Sequence, residues 1–197
     1  TVDTSVDYGI GSIVAVSSVL ANESRTFSLQ HMRPEIGGVR TTNGTLIAMP
    51  LVTSGGYPLT WAAAQQSASF GSTNSADYAM VTGTLIEIEL QQRAAVYLVT
   101  SANIKRTWGN TYLVAEWRIL WREKGALDWQ TAGPRVLETL PNTAYRDIIG
   151  LTALVEDLSA GIYEFALGFR LEVGTSQVET FQGTLVGVAL SFPVDAP

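Results

Sequence analysis

The chain contains no cysteine and only one histidine, His31. Without thiols it can hold no disulfide, no thiolate nucleophile and no zinc-thiolate cluster. A lone imidazole cannot build a histidine-based metal centre, and no G-x-S-x-G elbow is present to supply a serine beside it. Charge is sparse too: 15% of the 197 residues are charged, with 12 Lys+Arg against 18 Asp+Glu and a net charge of -6. Proteins that bind polyanions cluster cations to release counterions from phosphates, and this balance offers no such footprint. The densest basic groups are Lys105 with Arg106, and Arg118 with Arg122 and Lys124. The second sits beside Glu116 and Glu123, the pattern of a strand face with cross-strand charge pairs. Nucleic acid is therefore not expected as a partner. The longest apolar run, Ile10 to Ala21, is broken by serines and falls short of the about 20 residues that cross a bilayer as a helix, so no membrane span is expected. No signal peptide is visible from Thr1 on; removal of an export signal, or of an initiator methionine ahead of a small residue, would leave such a start.

What the chain does have is alternation. From Tyr163 to Val173 the odd positions are Tyr163, Phe165, Leu167, Phe169, Leu171 and Val173, whereas the even ones are Glu164, Ala166, Gly168, Arg170 and Glu172. A period of two with one greasy face is a half-buried β-strand. Val186, Val188, Leu190 and Phe192 repeat the pattern up to Pro193, which predicts that the two closing strands form an antiparallel pair with these faces on a core. Similar signals mark 84–90, 94–102 and 112–123, where Leu113, Ala115, Trp117, Ile119 and Trp121 share a face. Weaker strands are expected at 127–131 and 135–140, and another at 145–158. Strands recurring every roughly 8 to 15 residues, with turn residues between them, predict an all-β antiparallel sandwich or barrel.

The first third reads differently. Residues 6–20 and 27–31 predict an N-terminal hairpin whose first strand is apolar on both sides, with Ile10, Val14 and Val16 on one face and Ile13, Ala15 and Val19 on the other. Such a strand needs cover from its own domain or from a neighbouring subunit. The stretch 50–75 is the least regular, with a small-residue run, WAAAQQSASF, that could form one short helix. It is expected to be a surface loop or arm anchored by Tyr57, Trp61 and Phe70. The predicted division is an N-terminal hairpin and irregular arm over 1–75 and a β domain over 76–197.

Three segments resemble a known family. Residues 95–125 (AVYLVTSANIKRTWGNTYLVAEWRILWREKG), 151–174 (LTALVEDLSAGIYEFALGFRLEVG) and 181–193 (FQGTLVGVALSFP) together resemble the jelly rolls of the tumour necrosis factor and complement globular-head superfamily, particularly bacterial and phage versions with an L-x-x-G-x-Y/H entry to a late strand. The resemblance covers residues 76–193. It implies an antiparallel jelly-roll sandwich of about ten strands that forms compact trimers. The roles it implies are recognition, adhesion or assembly of shells and fibres rather than catalysis. Apolar residues on the nominally outer faces, such as Tyr97, Val99, Tyr112, Val114 and Leu120, would then suit a subunit interface.

Candidate chemistry is thin. Glu87 and Glu89 share a strand face, as the acid and nucleophile of jelly-roll glycosidases do, but Gln91 and Gln92 stand where a third carboxylate should tune them. Trp108, Trp129, Tyr57 and Trp61 are the loop aromatics that could stack on the apolar face of a sugar, with packing anchors as the competing reading. Glu156, Asp157 and Asp147 could contribute to a calcium site, although no EF-hand-like spacing supports one. No cofactor is implied. The expected function is that of a non-enzymatic, self-assembling subunit of a virion (capsid, decoration or tail-associated) or of an extracellular appendage. Its contacts would be made by Ile10, Val14, Val16, Phe27, Tyr97 and Tyr112. A carbohydrate-binding or adhesin module, with a cell-surface glycan as partner, is the alternative; a glycoside hydrolase stands behind both.

Overall fold

The computed structural model describes residues 61–65, 71–73, 75–108, 113–140, 146–174 and 177–191. Every regular element among them is a strand: β1 (Trp61–Gln65), β2 (Gly71–Thr73), β3 (Ala79–Met80), β4 (Ile86–Leu90), β5 (Ala94–Trp108), β6 (Leu113–Glu123), β7 (Gln130–Leu140), β8 (Arg146–Leu158), β9 (Gly161–Val173) and β10 (Gln177–Ser191). The first sheet runs β1-β10-β5-β8, with β2 also on β10; the second runs β3-β9-β6-β7, with β4 also on β9. All pairings are antiparallel, and β1·β10, β4·β9, β5·β8 and β6·β7 nest one inside the next along the chain. That nesting, split over two facing sheets, is the winding of a jelly roll.

The long strands turn one face into the core, as their alternation requires. In the second sheet, Phe169 and Leu167 of β9 pair with Trp117 and Ile119 of β6, and Phe165 and Tyr163 with Ile86 and Ile88 of β4; in the first, Val96 and Leu98 of β5 pair with Val155 and Ala153 of β8. Burying each large side chain contributes about 1.5–3 kcal/mol. Polar groups that enter this core arrive with partners. Trp117 Nε1–H donates to Thr180 Oγ1 at 3.3 Å and ties β6 to β10 across the layers. Buried Arg106 donates through Nη1 to the Leu140 carbonyl at 3.0 Å. Between β3 and β4, where the ladder is interrupted, the Thr84 hydroxyl donates to the Val81 carbonyl at 2.7 Å and accepts from Leu167 N–H at 3.2 Å.

Several expectations change. The closing strands β9 and β10 are not partners; they belong to opposite sheets, each paired with strands distant in the chain. The two weak strands at 127–131 and 135–140 are one strand with an irregularity, since Trp117 pairs with Val136 and Ile119 with Ala132. Gly133 lies in this bulge at φ +67°, and a Cβ there would come within 2.8 Å of Ala153 Cβ on β8. The bulge therefore seals the open edge of the second sheet against β8. The run Trp61–Gln65 is a strand on β10 rather than a helix, so the first sheet draws on residues that the sequence reading groups with the arm. Its small residues fit either state, and the free edge of β10 selects the extended one. The hairpin with Ile10, Val14, Val16, Phe27 and His31, together with Tyr57 and Tyr112, lies outside the described residues.

Candidate functional site

On β10 the register overturns the expected facing. Leu185 and Ala189 join the core, while Val186, Val188 and Leu190, expected to be its contribution, lie opposite Val99, Tyr97 and Ala95, which are not in the core cluster. The reason is packing: Gly187 points at the core where a Cβ would meet Ile88 Cδ1 at 2.7 Å and Ile86 Cδ1 at 2.9 Å. The core is already filled from the second sheet, so β10 can offer it only small side chains there. Val186, Val188 and Leu190 are turned outward.

The outcome is a continuous apolar row across the outer face of the first sheet. Trp61 of β1 pairs with Val188 of β10, Val188 with Tyr97 of β5, and Tyr97 with Leu154 of β8. A second row runs Ala63, Val186, Val99 and Thr152. Val186 and Val188 are already covered within the single chain, and the accessible part of the face is Leu154 and Leu190, 46% and 39% exposed, with Tyr97 and Val99 half-buried. Towards the other end of the face the character changes to Ser101, Asn103 and a Lys105–Glu179 ion pair at 2.8 Å.

The outer face of the second sheet is built on charge. Glu116 on β6 is fully buried, yet it faces away from the core. Its carboxylate accepts from Tyr78 Oη at 2.6 Å, Arg118 Nε at 2.6 Å, and Arg170 Nη2 and Nε at 2.9 and 3.2 Å. Burial alone would raise its pKa; hydrogen bonds from Tyr78, Arg118 and Arg170 outweigh it and hold the group at about 2. Burial, then the hydrogen bond to Glu116, pushes Tyr78 up to about 12. The Arg170 guanidinium also lies 4.8 Å over the Tyr78 ring. Further along, Arg122 Nε donates to Glu164 at 2.5 Å and Lys124 pairs with Glu87 at 2.9 Å. Leu120 on this face is buried at 2% exposure because it drops onto Gly168, where a Cβ would lie 2.4 Å from Leu120 Cδ1. It is not available to a neighbour, contrary to expectation.

The sequence candidates scatter accordingly. Tyr97 lies in the apolar row, and Trp61 holds the register position beside Val188 in the same row. Trp108 ends β5 opposite Gln177. Trp129 is half-buried, and its ring carries the Arg122 guanidinium at 4.3 Å, so at least one stacking face is taken by the protein itself. Glu87 is paired with Lys124, and Glu89 accepts from Gln91 Nε2 at 2.8 Å; both are exposed. Asp147 and Asp157 stand near opposite ends of β8, ~30 Å apart at the rise of a strand, and cannot share one ion. Asp147 instead accepts from Ile148 N–H, and Asp157 from Arg93.

Sequence reasoning missed Leu154 and the Val188 row. The signal was there, in bulky residues on both faces of 185–190, but only the register says which face is inside.

No family model and no curated protein matches the chain. Among solved structures it is similar to that of Eiger TNF from S. frugiperda, at 11% identity and a TM-score of 0.41, over 72% of this chain and 98% of that one. The jelly-roll description rests on the strand order of the two sheets.

Proposed function

We propose that this chain is a non-enzymatic building block that self-associates through the apolar outer face of its first sheet. The observation that carries the reading is the inversion of β10, which turns Val186, Val188 and Leu190 away from its own core and into line with Tyr97, Val99 and Leu154. The accessible members of this face, Tyr97, Val99, Leu154 and Leu190, are apolar and bordered by polar residues, the composition of a subunit interface. The facing sheet offers the contrast, since its outer charges are tied to one another. Compact homotrimers, as the sequence resemblance implies, or a larger array are the assemblies assigned. A virion (capsid, decoration or tail-associated position) or an extracellular appendage is the setting, where low charge density lets copies pack closely. Residues 1–60, with Ile10, Val14, Val16 and Phe27 on strands predicted to be greasy on both sides, serve as the arm that reaches neighbours. The glycan-binding reading has less support, because Trp129 is stacked by Arg122.

Light scattering of the full chain tests this. The wild type is expected to run as a discrete multimer, and the variant carrying both Tyr97→Lys and Leu154→Lys as a monomer with unchanged circular dichroism, since a lysine buried at an interface lacks a counter-charge. A wild type that stays monomeric at high concentration, or a multimer indifferent to both lysines, refutes the proposal.

A further inference from the structure

One end of the sandwich holds a cleft that self-association leaves unexplained. It lies between the β6–β7 turn and the β8–β9 turn, has a volume of about 300 Å³, and is lined by Trp121, Tyr163, Glu123, Asp128, Gln130 and Asp157 among others. That volume is at the lower limit of ligand pockets and suits something the size of one side chain. Its apolar wall is an aromatic pair, Trp121 and Tyr163, with centroids 6.2 Å apart and planes tilted by 46°.

The charges around it are unequal in their commitments. Arg122 also lines the cleft, but its guanidinium is held by Glu164, by the Ala126 carbonyl at 3.1 Å and by the Trp129 ring. Asp157 is paired with Arg93 at 2.6 Å. The carboxylates of Glu123 and Asp128 have no cation and no N–H donor among the described residues. Glu123 Oε1 lies beside the Gly161 backbone, with the Tyr163 ring next to it. The cleft thus presents two carboxylates without a cation, an aromatic wall and the polar groups of Gln130 and Ser159, and its one guanidinium is spent. With three carboxylates in the lining against that one committed cation, an anion is repelled. A bare metal ion is unsuited as well, because no group of three or more carboxylates among the described residues is close enough to hold one. Two uncommitted carboxylates in one lining with an aromatic pair match an organic cation, which needs a counter-charge and an apolar surface rather than a full ligand shell.

We propose that this cleft binds a small organic cation, an ammonium group on a short apolar stem, with Glu123 and Asp128 as counter-charges and Trp121 and Tyr163 as the wall for the stem. Titration of the full chain with n-butylammonium chloride, followed by ¹H–¹⁵N NMR at the Gln130 side-chain amide and the Trp121 indole, tests it. Saturable shifts in the millimolar range are expected, with sodium chloride at equal ionic strength and methyl β-glucoside leaving both signals in place. The Glu123→Gln/Asp128→Asn variant should fold normally, since neither carboxylate has a protein partner, and should bind about ten-fold more weakly as two charge-assisted contacts become neutral. Shifts that never saturate, that sodium chloride reproduces, or that survive the double substitution overturn the proposal. A glucoside that binds more tightly than the amine overturns it in favour of a neutral polyol.

Discussion

Replacing Glu116 by glutamine removes one charge and almost no volume from the outer face of the second sheet. The carboxylate is inaccessible to solvent and accepts hydrogen bonds from Tyr78, Arg118 and Arg170. Its pKa falls from an ordinary 4.5 to about 2. At about 1.4 kcal/mol per tenfold change in proton affinity, that difference corresponds to about 3 kcal/mol of folding free energy. The sign follows from the direction of the shift. A carboxylate whose folded pKa is depressed stabilises the protein fully above about pH 4.5, the unfolded value, and the contribution is lost as pH falls through about 2. The half-exposed guanidiniums of Arg118 and Arg170 recover some hydration in the variant, so about 2–3 kcal/mol is the expected loss at pH 7. For a chain of this size that lowers Tm by about 4–12 °C. Urea unfolding followed by tryptophan fluorescence, at one protein concentration to hold any assembly term constant, should show the gap between wild type and Glu116→Gln closing as pH drops from about 5 to about 2. Other carboxylates titrate in the same window, but they do so in both proteins and cancel in the difference. A gap that is the same at pH 3 as at pH 7, or a loss below about 0.5 kcal/mol at pH 7, would show that the network carries no weight.

Two further substitutions probe the packing. Gly168→Ala places a methyl where Leu120 Cδ1 stands 2.4 Å away, and should cost about 1–3 kcal/mol in denaturant unfolding; a second change, Leu120→Ala, should relieve part of it. Thr84→Val keeps the shape but strips the hydroxyl that serves Val81 and Leu167, leaving a buried carbonyl and a buried N–H with one partner fewer each, and should cost about 1–3 kcal/mol with faster amide exchange at Leu167.

Local alternation made much of this fold legible. The odd positions of β9 from Tyr163 to Leu171 and the Leu113 to Ile119 face of β6 enter the core, with Trp121 packed against it, because a period of two needs only neighbours along the chain; Val173, expected on the same face, is 46% exposed at the strand's end. The Glu116, Arg118 and Arg122 face carries the expected cross-strand charge pairs, with Arg170 of β9 for Glu116 and Glu164 of β9 for Arg122, and Arg118 adds a pair to Glu116 along β6 itself. Full burial of Glu116 could not be read off, since it takes Tyr78 and Arg170, 38 and 54 residues away, to cover it.

Sequence by itself determined that the chain is all-β, where most strands fall, and that chemistry based on cysteine is closed to it, since composition and period are local properties. Tertiary structure alone decided which strands are neighbours, which face of β10 points inward, and that Val188, Tyr97 and Leu154 fall in one row. Residues 97, 154 and 188 are far apart in the chain and carry no mutual signal in a single sequence. They meet because the core has room only for a glycine at position 187, and a strand that turns Gly187 inward must turn its neighbours Val186 and Val188 outward.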